Sequence, residues 1–205
     1  MPRWPKFYET KSVTQLTKRG DVAAVAVSAD GSHIAYAAEE GDNGSLHLVE
    51  IGSTIEASRG NNRSHCGGIT FSTDKKYIYY VLNQNDVGTL YEVPFVDRDS
   101  QTVVTDVDSP VSFSPDGTHF VFERYDPVHH ADLILLGDSE SVSILAKVAP
   151  PVFLSGKVDW SPDGSAILFG AHDDSAVGAA KTRYGAFLLR DQKIEFGEPP
   201  LWSGE

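Results

Sequence analysis

The chain has 205 residues, with 17 Lys or Arg against 29 Asp or Glu, a formal charge of −12, and a single Cys and a single Met. That length supports one or two domains with a sizeable core, the acidic balance repels phosphate backbones and anionic membranes so that no nucleic acid is expected as a partner, and one thiol makes no internal disulfide. With 40% hydrophobic and 10% aromatic residues the composition is globular and excludes a disordered acidic tail.

Residues 1–10 read as an N-terminal extension. The opening MPRWPKFYETK is positively charged, but no apolar run comes after it, so it does not read as a signal peptide. No stretch approaches the roughly 18 apolar residues of a membrane span. The default expectation is a cytoplasmic chain without a membrane segment. Val13 to Thr17 is the first predicted strand, and it belongs to none of the four repeats downstream of it.

From Val22 onward the sequence repeats itself. SADGSHIAY from Ser28, STDKKYIYY from Ser72, SPDGTHFVF from Ser114 and SPDGSAILF from Ser161 align without gaps, at spacings of 44, 42 and 47 residues. A period of about 40–50 residues means a propeller or a helical array. In each unit a hydrophobic residue (Val27, Phe71, Phe113, Trp160) precedes the Ser, and the Ser-Pro-Asp-Gly pattern suits a tight turn closed by a left-handed Gly. Lys75 replaces that Gly in the second unit, where strain or another turn type is expected.

After each turn comes a strand rich in β-branched and aromatic residues: Ile34-Ala35-Tyr36, Tyr77 to Val81, Phe120-Val121-Phe122 and Ile167-Leu168-Phe169. None shows a helical stripe. Being apolar at nearly every position, they read as strands buried on both faces. A third strand comes next in each unit (Leu46 to Val49, Leu90 to Val93, Leu133 to Leu136, Phe187 to Leu189), then a more polar fourth (Ile55 to Ser58, Thr102 to Thr105, Val142 to Ala146, Ile194 to Phe196) suited to an outer edge. The fold class is all-β: a β-propeller of four-stranded antiparallel blades. Its single domain covers 11–198, with units at about 11–59, 60–105, 106–148 and 149–198 and a tail at 199–205.

The Ser-Pro-Asp-Gly hairpin behind an aromatic residue, leading into Ile-Ala-Tyr or Phe-Val-Phe, resembles the WD40-like (PD40) repeat of TolB-type propellers, also found in the propellers of prolyl-oligopeptidase-type enzymes. The runs Gly88 to Pro94 and Val104 to Gly117 are similar to propellers at the C-terminal end of bacterial, particularly acidobacterial, membrane-anchored serine/threonine kinases and winged-helix regulators. The resemblance covers about residues 11 to 170. It implies a scaffold that binds proteins or ligands, in relatives that are often periplasmic. No kinase motif and no Gly-x-Ser-x-Gly elbow occurs, so the resemblance brings neither phosphoryl transfer nor peptidase chemistry.

Closed propellers typically have about four to eight blades. Four units with the Val13 to Thr17 strand to spare are read as an open arc, with a four-bladed ring as the alternative. An arc leaves an apolar blade face bare at each end, which favours self-association.

Residues repeated in every unit are assigned to structure. His33 and His119 share a repeat position held by Tyr77 and Ala166 elsewhere, and the turn carboxylates Asp30, Asp74, Asp116 and Asp163 read as caps. Departures from the repeat are where a site would be grafted. Two loops depart: Arg124-Tyr125-Asp126-Pro127-Val128-His129-His130 in unit three, and the longer Ala171 to Gly185 in unit four, which opens with His172-Asp173-Asp174. Imidazole beside carboxylate suits several divalent ions. Without a fixed ligand spacing, though, a solvated loop is the favoured reading, and no metal or cofactor is assigned. Cys66 is expected just before the first strand of unit two, its side chain diverging from His65. The function expected is a non-catalytic propeller binding a protein or small molecule through its loop face, no enzyme; the alternative is a propeller accessory to an enzyme, such as a peptidase gate or a polysaccharide-active protein.

Overall fold

The computed structural model describes residue 15 and residues 21–40, 43–51, 56–62, 65–95, 99–138, 140–176 and 182–197. The strand expected over Val13 to Thr17 lies outside the described residues apart from Gln15. Four antiparallel sheets succeed one another along the chain, each with its strands in sequence order. Blade 1 holds β1 (Val22–Val27), β2 (His33–Glu40), β3 (Asn43–Glu50) and β4 (Glu56–Asn62). Blade 2 holds β5 (His65–Phe71), β6 (Tyr77–Gln84), β7 (Val87–Pro94) and β8 (Gln101–Thr105). Blade 3 holds β9 (Ser112–Phe113), β10 (Phe120–Asp126), β11 (Ala131–Gly137) and β12 (Val142–Val148), and blade 4 holds β13 (Val152–Trp160), β14 (Ala166–Asp173), β15 (Thr182–Leu188) and β16 (Lys193–Gly197). This is the all-β, four-bladed propeller that the repeats announced. Cys66 falls inside β5 and not ahead of it, because Cys66 pairs with Leu82 and the ladder then resumes beyond a bulge at Gly68.

The repeated turn owes its uniformity to one hydrogen-bond set. The turn Ser hydroxyl donates to the Asp carboxylate at 2.7, 2.7, 2.6 and 2.6 Å in the four blades. The same hydroxyl accepts the N–H of the residue five further on, at 2.9–3.0 Å. The Asp carboxylate in turn accepts the amide of the residue two beyond it, four after the Ser, at 3.0–3.1 Å. His33 and His119 each place Nδ1 2.8 Å from the preceding hydroxyl, the same local contact in both blades. Gly31, Gly117 and Gly164 close their turns at φ 69–73°, and Lys75 adopts the same left-handed conformation at 61°. The Lys turn is therefore the same turn, held at a backbone angle that disfavours a side chain. Ser114→Ala strands the His119 amide and is expected to lower stability by about 1–2 kcal/mol in urea denaturation.

Successive turns touch. Lys75 Nζ lies 2.8 Å from Asp30 Oδ2 of the preceding blade. A Cβ on Gly117 would stand 3.0 Å from Thr73, and one on Gly164 would stand 3.5 Å from Pro115.

Strand alternation decides which neighbour each side chain meets. Six and eight residues after the turn Ser, side chains face the preceding blade; seven after, the next one. Ala35 thus packs with Ile78 and Tyr80, Tyr79 with Phe120 and Phe122, and Val121 with Ile167 and Phe169, giving three apolar clusters that join blades 1 and 2, 2 and 3, and 3 and 4. Among the described residues no such cluster joins blade 4 to blade 1. At the far face of blade 4, Leu168 and Tyr184 are 44% and 56% exposed. The far face of blade 1 corrects the expectation of a bare end: Ile34, Tyr36, Ala38 and His47 point away from blade 2 yet are buried, with Tyr36 stacked on His47 at 4.7 Å.

The inner strand of blade 3 is reduced to two residues because Pro110 has no amide to donate. Side chains take over the ladder: Ser109 Oγ accepts the Glu123 amide at 2.9 Å and Asp108 Oδ2 the Tyr125 amide at 2.7 Å, while the Asp108 amide donates to the Glu123 carbonyl at 2.9 Å.

Candidate functional site

An up-and-down blade sends its turns to two ends. The turns between strands one and two and between strands three and four share one end, here the hairpin end; the loops between strands two and three share the other, the loop end. Cys66 and the candidate residues Arg124 to His130 and His172 to Asp174 lie at the loop end or on the strands leading to it.

There they close on partners within their own neighbourhood. His129 Nδ1 sits 2.5 Å from Asp126 Oδ2, and the Tyr125 hydroxyl is 3.1 Å from His130 Nδ1. Arg124 turns back toward blade 2, where Nε donates to the Asp106 carbonyl at 2.6 Å and Nη2 to the Thr105 carbonyl at 2.9 Å, with the guanidinium 5.6 Å above the Phe122 ring. In blade 4, His172 Nε2 lies 3.0 Å from Asp174 Oδ1, and Asp173 accepts from Arg183 at 2.8 Å and caps the turn through the Ser175 amide at 2.9 Å. Among the described residues no group of three His, Cys, Asp or Glu is arranged to hold a metal ion. Cys66 is an interior thiol: burial pushes it up to about 11, so it is un-ionised at neutral pH.

Polar clamps cross the interfaces at this same end. Glu39 Oε1 accepts the Cys66 amide at 3.0 Å between blades 1 and 2, and buried Asp132 accepts the Leu154 amide at 2.5 Å between blades 3 and 4. Glu123, on the same face as Val121, stands diagonally across the β10–β11 pair from Asp132. Burial first, then the charges of Asp132 and Asp108, push Glu123 from 4.5 up to about 7. The folded chain therefore keeps a proton that the unfolded chain releases, so stability falls as pH rises from about 4.5 to 7 and then levels. Glu123→Gln is expected to flatten that slope and, allowing for its partial exposure, to stabilise the protein by about 1–2 kcal/mol at pH 8 but not at pH 4.5, read by urea denaturation at both.

The hairpin end carries what sequence reasoning missed. Two adjoining cavities of about 370 and 470 Å³ lie between blades 2 and 3 and share Tyr79, Phe113 and Gly117. Tyr79 and Phe113 meet edge to face at 4.7 Å, Phe113 and Phe120 at 6.0 Å, and the Tyr79 hydroxyl donates to Glu92 Oε2 at 2.8 Å. Carboxylates ring this aromatic floor: Asp74 and Asp116 line the smaller cavity, and Glu92, Asp138 and Glu140 the larger. Among the described residues no Lys or Arg lines either one. Val142 at the lip is 38% exposed, and Ile144 farther out on the same face is 63% exposed. One signal for this cleft was available. Tyr77 and Tyr79 stand on one face of β6 at repeat positions held by His33 and Ala35 in blade 1 and by Ala166 and Leu168 in blade 4.

No family model matches the chain, and no curated protein matches it. Solved structures do. TolB from Acinetobacter baumannii aligns at a TM-score of 0.71 with 17% identity, over 87% of this chain and 43% of that one. The nidogen/laminin complex aligns at 0.63 with 11% identity over 87% and 64%, and a prolyl endopeptidase at 0.62 with 13% identity over 86% and 29%. At these identities the shared property is the fold, and it defines the class: a β-propeller, a fold that this chain shares with TolB. The chain spans less than half the length of the TolB that it matches.

Proposed function

We propose that this chain is a non-catalytic propeller scaffold that binds a protein partner. The observation that carries the reading is a contrast between its two ends. The histidines and carboxylates of the loop end are engaged with one another or with the backbone, whereas the cleft between blades 2 and 3 is concave, aromatic and open, with a volume in the range of ligand sites. The likeness to a propeller seen in a nidogen/laminin complex supports it as fold-level analogy. Selection of a displayed random-peptide library on the immobilised chain tests the proposal: saturable enrichment of a common sequence is expected, and failure to enrich any sequence overturns it.

A second reading, a propeller accessory to an enzyme, draws on the likeness to a prolyl endopeptidase. It requires a hydrolase that co-purifies with the chain and changes its substrate range when the chain is removed.

A further inference from the structure

We propose that the cleft between blades 2 and 3 takes an extended basic peptide, a Lys or Arg side chain meeting the carboxylate ring and a neighbouring apolar side chain lying on Tyr79 and Phe113; this deepens the scaffold reading above and rests on it. Charge complementarity selects the occupant. Among the described residues the cleft is lined by carboxylates of both blades and by no Lys or Arg, Lys76 reaching Asp74 at 3.2 Å from outside the lining. Its floor offers ring surface over which an ammonium or guanidinium is attracted. The apolar lip of Val142 and Ile144 suits an aliphatic or aromatic side chain one or two positions away along an extended chain. A second copy of this chain is a poor occupant, since each copy carries a formal charge of −12.

Aspartates of the acidic ring also keep their charge. Asp116 is held at about 2 by the Ser114 and Thr118 hydroxyls and the Thr118 amide, and Asp138 is held below its ordinary value by the Glu140 and Ser141 amides. Attraction for a cation therefore persists on mild acidification. It weakens as salt screens the exposed groups.

The probe is a fluorescein-labelled heptapeptide of alternating Lys and Leu, titrated against the full chain by fluorescence polarisation, with its Glu-Leu counterpart as comparison. The Lys-Leu peptide is expected to bind at least about tenfold more tightly at low salt. Glu140→Lys and Val142→Asp are each expected to weaken it by about fivefold or more with the melting temperature unchanged, and His129→Ala with His130→Ala to leave it unaltered. Equal affinity for both peptides, or Lys-Leu binding that survives both cleft variants, overturns the proposal. If library-selected ligands bind but respond only to the His129 and His130 changes, the cleft assignment fails while the scaffold reading stands. A dimer in sedimentation that Val142→Asp dissociates would show the cleft occupied by a second copy and overturns it as well.

Discussion

Phe122→Ala is expected to destabilise the protein by about 3–5 kcal/mol, the largest loss from a single side-chain truncation at the middle interface. Phe122 is fully buried in the cluster that joins blades 2 and 3, stacked with Phe120 at 6.0 Å and capped by the Arg124 guanidinium. Its neighbours, Leu90 and Leu135 among them, sit on strands fixed by ladders on both sides, so the void collapses little. Arg124 loses the ring beneath it while keeping its carbonyl partners. Urea denaturation followed by tyrosine and tryptophan fluorescence measures the change. A loss below about 1 kcal/mol would mean that blades 2 and 3 are not energetically coupled through this cluster.

Gly88→Ala is expected to cost about 3 kcal/mol or more, beyond ordinary overpacking. A Cβ at this position would stand 1.8 Å from the Val107 carbonyl oxygen and 2.9 Å from Asn83 Oδ1. The obstacle is backbone, and Val107 cannot retreat: its side chain is fully buried and its amide donates to the Gly88 carbonyl at 3.1 Å. Gly31→Ala is the useful contrast. Nothing lies within 4 Å of its added Cβ, and only the left-handed backbone at φ 69° opposes it, so a loss of about 1 kcal/mol is expected in the same assay. Equal losses at the two positions would remove the steric argument for Gly88.

The turns were legible because they are local. Ser, Asp and Gly at fixed offsets satisfy one another, and four copies made the pattern visible through the Lys75 exception. The hairpins and strand order came with them. Reading the second strands as buried on both faces holds where a blade has a neighbour on each side, as Val121 and Phe122 show, and not at the far face of blade 4, where Leu168 is exposed. The cleft was not legible as a site. Its walls come from residues as distant as Tyr79 and Val142, each unexceptional in its own unit, and only the packing of two blades sets them face to face. The loop end presents the opposite case. His129, His130 and His172 stand out in sequence, but short-range partners absorb them.

The run of contacts between successive turns bears on how a propeller of this kind sets its own pitch. Each contact is made by the fourth residue of one turn reaching back to the turn before it, by Lys75 toward Asp30, Gly117 toward Thr73 and Gly164 toward Pro115. That residue behaves as a shim at the inner rim of a fan: its thickness governs how closely adjacent vanes can close. In the first pair a long side chain bridges the turns, and in the later pairs glycine backbone stands against the neighbouring turn. Angular spread, and with it the width of any cleft between two vanes, is thus open to adjustment by a single position per repeat while the aromatic surfaces that face each other are left alone.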